Sequence, residues 1–226
     1  MSEEILERPL FPLNTVLFPG MPLPLHIFED RYRLMIDDCL EAEQDFGVLL
    51  ARPGEGGADA AEAHRIGTFA RITHVHRLDD GRMNILTTGQ DRFRLLQLVR
   101  TKPYLIGRSE SFPLEAVESD QVAGLTKQVS GLFVEYMKLV REALGDLIQI
   151  RSTPRDPVGL AYLVAKAIQL SLEEKQQLLV VRTLPKLLQT ELGILGREAA
   201  LLRRMRQIQE SEEGYVHGAT GHFSLS

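Results

Sequence analysis

One segment of the sequence comes close to a serine-hydrolase motif. Residues 107–111 read Gly-Arg-Ser-Glu-Ser, which departs from the Gly-x-Ser-x-Gly nucleophile elbow at its last position. An elbow also needs a helix directly after its strand, and the pattern predicts a strand here with no such helix. A hydrolase that uses Ser109 as its nucleophile is therefore the weakest of the functional hypotheses that we consider.

Two histidines are spaced as some metal sites require. His74 and His76 stand two residues apart on a predicted strand, so both rings point to the same side of it. His64 or Asp79 could supply a third ligand. No His-Glu-x-x-His motif and no cysteine pair accompanies them, so we favour two polar histidines on a solvent-facing strand. We predict neither a metal nor a cofactor.

Cys39 is the only cysteine of the chain, and it lies at an apolar position of a predicted helix. A small core residue is the simplest interpretation, ahead of a reactive thiol. A single cysteine excludes a disulfide scaffold and favours a reducing compartment. No apolar run approaches the roughly 20 residues that span a bilayer, and the acidic start Met-Ser-Glu-Glu is unlike a signal peptide. We therefore expect a cytoplasmic protein that does not enter a membrane.

A missing motif and the net charge each argue against a further class of protein. No Gly-x-x-x-x-Gly-Lys-[Ser/Thr] segment occurs, which argues against a P-loop ATPase. A net charge of −5 argues against bulk affinity for nucleic acid. Basic residues nevertheless gather on the later strands and on the last helix, with few aromatic residues nearby for stacking. They are Arg92, Arg94, Arg100, Lys102, Arg108, Arg197, Arg203, Arg204 and Arg206. Such a group of basic residues usually forms a solvated face of the protein, and RNA binding is the alternative interpretation.

The first half of the chain reads as short strands with one inserted helix. Five prolines between residues 8 and 28 alternate with apolar residues, which predicts extended edge strands broken by a turn at residues 19–20. The spacing then becomes helical, with Phe28, Tyr32, Met35 and Ile36 on the face to be buried. Residues 46–51 fit a buried strand.

Consecutive strands are predicted from residue 65 to residue 112. Asp79-Asp80-Gly81 predicts a hairpin turn, and Gly89 with Asp91 predicts a second reversal. Strands at this spacing favour a small, partly closed barrel over a parallel sheet.

The second half of the chain is predicted to be helical. A long helix ends near Gly145, Asp156-Pro157 starts another, and Ser171 with Glu174 forms a capping box for a third. A final helix runs to about residue 209. We predict a strand-rich lobe over residues 1–115, a helical bundle lobe over residues 116–210 and a mobile tail over residues 211–226.

Several motifs, in the same order, resemble the Lon N-terminal (substrate-binding) domain family. They are Leu-Phe-Pro-Leu at 10–13, Val-Leu-Phe-Pro-Gly at 16–20, Leu-Pro-Leu-His-Ile-Phe-Glu at 23–29, Arg-Tyr-Arg at 31–33, Ile-Gly-Thr at 66–68, the run at 89–93 and Glu-Lys-Gln-Gln-Leu-Leu at 174–179. The similarity covers residues 8–206 approximately. One departure is Asp30, where the family often has proline.

The resemblance implies both a fold and a function. The expected fold is α+β, with a PUA-like β pseudo-barrel lobe that has one inserted helix, followed by an α-helical bundle lobe. In full-length Lon proteases this region recognises substrate proteins and helps assembly, whereas ATP hydrolysis and Ser-Lys proteolysis belong to downstream domains. The resemblance therefore implies a non-catalytic module that binds polypeptide segments or a protein partner, such as a protease or a chaperone. It carries over no catalytic residue.

Five residues near the start of the chain are our candidates for partner contact. Met21, Pro22 and Leu23 follow the turn at residues 19–20, where a groove could open. His26 lies among apolar residues, and Arg31 borders the buried stripe of the predicted helix. The sequence specifies neither the partner nor the oligomeric state.

Overall fold

The computed structural model describes residues 5–51, 63–99, 102–144 and 154–218. These residues form six strands and five helices, and the α+β class is confirmed. The elements are β1 (Leu6–Leu13), β2 (Pro22–Ile27), α1 (Asp30–Glu41), β3 (Phe46–Leu50), β4 (Ile66–Arg77), β5 (Met83–Val99), β6 (Leu105–Ser111), α2 (Asp120–Leu144), α3 (Pro157–Ala167), α4 (Leu172–Leu179) and α5 (Leu184–Gly218). No helix in this part of the chain is both long and apolar enough to cross a bilayer.

The chain groups into two compact units, which differ from the lobes that we predicted. The strand-rich unit contains Met1–Ala116 and Ala165–Leu184, and the helical unit contains Val117–Val164 and Pro185–Ser226. The segment with α4 thus belongs to the strand-rich unit, although the sequence placed it in the helical lobe. Polar contacts with the sheet explain this, since the Gln176 side-chain amide donates to the Ile66 carbonyl at 3.0 Å.

The six strands form one sheet in the order β2-β5-β4-β3-β1-β6, and an additional β5–β6 pairing closes five of them into a ring. The predicted small barrel is therefore confirmed. β1 and β3 are parallel, and the other pairs are antiparallel. β2 pairs only with the first part of β5, so it is the edge strand. Helix α1 packs on one face of the sheet.

β1 is not an edge strand, although its prolines predicted one. It pairs with β6 over residues 6–10 and with β3 over residues 10–13. Among the described strands, Pro9 therefore pairs with β6 alone, and Pro12 pairs with β3 alone. Each proline can therefore direct its ring nitrogen, which has no N–H to donate, toward the side where no described strand pairs with it. The strand accommodates both prolines for this reason.

β5 continues through the reversal predicted at residues 89–91, so that prediction is wrong. A Cβ atom at Gly89 would lie 2.2 Å from the Phe18 carbonyl oxygen. Gly20 donates its backbone N–H to the Gly89 carbonyl at 2.8 Å, and Gly89 donates its N–H to the Met21 carbonyl at 2.9 Å. The glycine thus permits a close approach of two backbones instead of a turn.

Helix α1 buries the stripe that the sequence predicted, with one exception. Tyr32, Met35, Ile36 and Cys39 are buried. Phe28 precedes the helix and is 61% exposed, so its assignment to the buried stripe is wrong. Burial raises the pKa of the Cys39 thiol to about 12, which fits the predicted core residue and leaves little thiolate for chemistry.

Helix α5 extends beyond the predicted end near residue 209 and continues to Gly218. Residues 209–213 read Gln-Glu-Ser-Glu-Glu, which includes good helix formers, and this explains the extension. The start of the predicted mobile tail is therefore corrected for residues 211–218. The rest of that tail, Gly145 and Arg100 lie outside the described residues.

The predicted capping box at the start of α4 is present. The Ser171 hydroxyl accepts from the Glu174 backbone N–H at 3.2 Å, and the Glu174 carboxylate accepts from the Ser171 backbone N–H at 3.1 Å. We expect Ser171→Ala to lower the free energy of unfolding by about 1 kcal/mol, because the Glu174 backbone N–H loses its acceptor. Urea denaturation measures this change. Thr190→Ala is the control, because the Thr190 hydroxyl donates to the Lys186 carbonyl within the same helix instead of accepting from a backbone N–H at a helix end.

Candidate functional site

The outward side chains of β2 form the most distinctive surface of the strand-rich unit. Successive residues of a strand point to opposite faces. Leu23 and Ile27 are accordingly buried, whereas Pro22, Pro24 and His26 are exposed. Phe28 continues this alternation just beyond the strand. Together with Leu86 of the neighbouring β5, which is 37% exposed, these residues make up what we call the β2 surface: Pro22, Pro24, His26, Phe28 and Leu86.

His26 is held on both sides of its ring. Its Nδ1 lies 2.7 Å from the Asn84 side-chain oxygen, and its Nε2 lies 3.5 Å from a guanidinium nitrogen of Arg82. Because an amide oxygen only accepts and a guanidinium only donates, Nδ1 is placed to donate to Asn84 and Nε2 is placed to accept from Arg82. The imidazole is therefore fixed in position on the outer face of the sheet.

The Phe28 ring packs against this fixed imidazole. The two ring centroids are 6.1 Å apart with an interplanar angle of 26°. This separation lies within the range of stabilising aromatic pairs. His26 thus supports one side of a ring that is otherwise largely in water.

The open edge of β2 is unsuited to strand addition. Gly89 donates to the Met21 carbonyl, so the odd-numbered residues of β2 direct their backbone groups toward β5. Pro22 and Pro24 consequently face the open edge, where neither has an N–H to donate. Prolines on an edge strand prevent another strand from pairing along it. A ligand of this surface would be bound through side chains instead.

The structure separates the five predicted contact residues. Pro22 and His26 belong to the β2 surface. Met21 is partly buried against the core, and Leu23 lies within it at 8% exposure. Arg31 binds Glu29 at 2.8 Å. Partner contact by these five residues stays a prediction, and burial makes Leu23 the least accessible of them.

Sequence reasoning missed three members of the β2 surface, which are Pro24, Phe28 and Leu86. Phe28 was assigned to the helix stripe because it lies four residues before Tyr32, which is also a helical spacing. The period-two pattern at positions 22, 24, 26 and 28 was the signal that could have found it. Leu86 gave no such signal, since its place opposite Pro24 depends on the strand register.

In the described part of the chain, the other predicted sites form neither a catalytic nor a metal-binding arrangement. Ser109 is 1% exposed, and its hydroxyl donates to the Leu6 carbonyl at 3.2 Å, so it is inaccessible as a nucleophile. His74 and His76 are exposed on β4, as the favoured interpretation held. His64 lies elsewhere, 3.5 Å from Glu173. Within the described ranges, no group of three potential ligand side chains is placed to hold a metal ion.

Most of the basic residues that suggested nucleic acid are in ion pairs. Arg92 is buried, and its guanidinium donates to backbone carbonyls. The ion pairs of the other residues are Arg94–Glu110, Lys102–Asp38, Arg108–Glu7, Arg197–Glu198, Arg203–Glu135 and Arg206–Glu142. Carboxylates beside these cations offset the charge that a phosphate backbone would need. The structure therefore adds no support for RNA binding.

Comparison with known proteins gives a consistent result. Residues 7–197 match the family described as the ATP-dependent protease La (LON) substrate-binding domain. The Lon protease of Roseiflexus castenholzii is 34% identical over 214 residues, which cover 92% of this chain and 27% of that protein. The Lon protease of Anaeromyxobacter dehalogenans is 30% identical over 209 residues, which cover 91% of this chain and 25% of that protein. The chain thus spans about a quarter of the length of these relatives.

Two solved structures share the fold. A Lon N-terminal domain protein from Xanthomonas campestris superposes with a TM-score of 0.59 and 24% identity, over 84% of this chain and 98% of that one. The N-terminal domain of a Mycobacterium avium complex Lon protease gives a TM-score of 0.61 and 23% identity, over 86% of this chain and 98% of that one. At these identities the likeness establishes the fold.

Proposed function

Because the chain belongs to the Lon substrate-binding domain family, we propose that it is a non-catalytic, cytoplasmic module that binds polypeptide segments through the β2 surface. The observation that carries the proposal is Phe28, an aromatic residue that is 61% exposed. An aromatic ring that is supported on one side and open on the other can bury much apolar area on binding at a low cost in side-chain entropy. A protease or a chaperone that receives the bound polypeptide is the partner that we propose for the module.

The chemistry of the surface favours an unfolded or extended polypeptide as its ligand. Phe28, Leu86 and Pro24 offer apolar contacts, and the prolines of the edge preclude a backbone ladder. Such contacts select apolar side chains without demanding one sequence. The surface is small, so we expect weak and reversible binding.

We expect Phe28→Ala to weaken the binding of an unfolded polypeptide about tenfold, because a Phe side chain that becomes buried contributes about 1.5–3 kcal/mol. The probe is reduced and carboxymethylated α-lactalbumin, which cannot refold. Fluorescence anisotropy of the labelled probe measures the dissociation constant.

Val134→Ala is the matched control, because Val134 is 57% exposed on α2 in the helical unit. It removes exposed apolar area without touching the β2 surface. Equal affinities of the wild type and Phe28→Ala would refute the assignment of this surface. An intact probe after long incubation is expected of a non-catalytic module, and its cleavage would contradict that part of the proposal. Binding of a single-stranded RNA that weakens steeply with salt, in place of polypeptide binding, would favour the RNA alternative.

A further inference from the structure

The outer face of the sheet beside the β2 surface carries two more histidines. In the strand register, Pro24 lies opposite Leu86, and Leu86 lies opposite His74. One row along, His26 lies opposite Asn84, and Asn84 lies opposite His76. Neighbouring strands are about 4.8 Å apart, so His74 and His76 border the apolar residues of the β2 surface.

The two histidines are placed differently from His26. His26 accepts from Arg82 at 3.5 Å and supports Phe28, so its ring has a positioning role. His74 is exposed, and its Nδ1 is 3.3 Å from the hydroxyl of the adjacent Thr73. His76 is exposed next to Asn84. His74 and His76 are therefore open to a ligand that reaches the β2 surface.

Among the described residues, the outward side chains of this part of the sheet include no carboxylate, and the carboxylates of Asp45 and Asp91 lie beside the outward Arg71. The described outward residues where the three strands run side by side are Pro22, Pro24, His26, Asn84, Leu86, Thr88, Arg71, Thr73, His74 and His76. The nearest carboxylates found in ion pairs are each matched with an arginine. These pairs are Asp45–Arg71, Asp37–Arg77 and Asp80–Arg82. Because these charges offset one another, the charge of this face changes mainly with its histidines.

We infer that His74 and His76 make the β2 surface selective for polypeptide segments that combine apolar residues with carboxylates, an inference that rests on the proposed function. The apolar residues of the segment contact Phe28 and Leu86, and its carboxylates approach the two imidazoles. Histidine is the side chain whose charge changes between about pH 5 and pH 8. Protonation of the two imidazoles adds positive charge to a face whose outward side chains include no carboxylate among the described residues, so the preference for acidic segments strengthens as the pH falls.

The test uses three labelled peptides that share the same Phe and Leu positions and differ only in their remaining residues, which are Glu, Gln or Lys. Anisotropy titrations near pH 6 and near pH 7.5, at low salt, give the dissociation constants. We expect the Glu peptide to bind about fivefold more tightly than the Lys peptide near pH 6, since exposed charge contacts contribute only modestly. The ratio shrinks near pH 7.5.

The double variant His74→Gln with His76→Gln separates this inference from the proposed function. Glutamine keeps a polar side chain that carries no proton-dependent charge. We expect the variant to lose the preference for the Glu peptide while its affinity for the Gln peptide stays unchanged. The control is His64→Gln, because His64 lies beside Glu173 and away from this face, and it should keep the preference.

The outcomes distinguish a failure of this inference from a failure of the proposed function. Binding of the Gln peptide that depends on Phe28, without a Glu preference near pH 6, overturns only the role of the histidines. A preference that survives the double variant also overturns it. Failure of every peptide to bind overturns both proposals together.

Discussion

Replacing Arg92 with methionine is expected to lower the free energy of unfolding by about 3 kcal/mol, the largest loss that we predict for a single side chain. Arg92 lies on β5 and is 2% exposed. One of its guanidinium nitrogens donates to the Leu179 carbonyl at 2.6 Å and to the Val181 carbonyl at 2.7 Å. Methionine keeps much of the volume but leaves both carbonyls without this donor. Because these carbonyls lie at the end of α4, the change also removes a cation from the negative end of a helix.

Neighbouring cations make this arginine part of a larger cluster. The guanidinium groups of Arg92, Arg94 and Arg182 lie 5.0, 4.8 and 5.5 Å from the centre of the Phe112 ring. Arg182 also binds Glu115 at 3.0 Å. The cluster links β5 and the segment after β6 to the end of α4. Loss of Arg92 is therefore expected to loosen the attachment of α4 to the sheet.

Urea denaturation followed by circular dichroism measures the effect, and hydrogen exchange locates it. The matched control is Arg108→Met, which removes an exposed arginine that pairs with Glu7. Exposed pairs contribute at most about 1 kcal/mol, so the control should change stability little. Arg92→Lys should lie between the two, since an ammonium keeps the charge without the planar fork. Similar losses in the free energy of unfolding for Arg92→Met and Arg108→Met would show that the buried arginine stabilises the protein no more than an exposed one.

The features that sequence reasoning predicted correctly depend on residues close together in the chain. Tyr32, Met35 and Ile36 repeat at helical spacing, and a helix with one apolar stripe must bury it. Ser171 and Glu174 satisfy each other across three residues. In both cases the information needed for the prediction lies within a single turn or two of helix.

The features that were missed depend on residues far apart in the chain. We grouped Arg92 with several surface cations, because its carbonyl acceptors lie 87 and 89 residues further along the sequence. We predicted a turn at Gly89, because the sequence does not show that Gly89 accommodates the backbone of Phe18. Phe18 lies far away in the chain, in the connection between β1 and β2. The position of α4 in the strand-rich unit follows from the same contacts with the sheet. Local spacing contains none of this information.

The candidate surface shows the same division. Pro22 and His26 were predicted as contact residues and lie together, since strand alternation is a local property. Phe28 satisfied two local periods at once, and only the position where α1 begins decides between them. Leu86 joins the β2 surface, and His74 lies beside it, through strand register, which a single sequence does not specify.

The second large effect concerns Glu191, the one buried charged residue among the described residues of the helical unit. It lies on α5 at 0% exposure, and neither oxygen of its carboxyl has a hydrogen-bond partner among the residues that the structure describes. Burial raises the pKa of this carboxyl well above its usual range. A buried carboxylate without partners is costly, so the folded protein favours the protonated form.

We expect Glu191→Leu to raise the free energy of unfolding near neutral pH by about 2 kcal/mol, because leucine removes the cost of burying the carboxyl at similar volume. The sign of the pH dependence follows from the raised pKa. Below the pKa of the unfolded chain, both states are protonated and the carboxyl costs least. As the pH rises toward the folded-state pKa, the unfolded state ionises first, and wild-type stability falls by up to about 1.4 kcal/mol per pH unit.

Urea denaturation at a series of pH values measures both effects. The difference between Glu191→Leu and the wild type should be smallest in acid and should grow as the pH rises through the folded-state pKa. Glu118→Leu is the control, because Glu118 is exposed in the same unit and its removal should leave the pH profile parallel to that of the wild type. A constant difference at every pH would mean that leucine acts only through better packing. A loss of stability at neutral pH would mean that the carboxyl gains a partner when the protein is in solution, which would contradict the unpaired state described for Glu191.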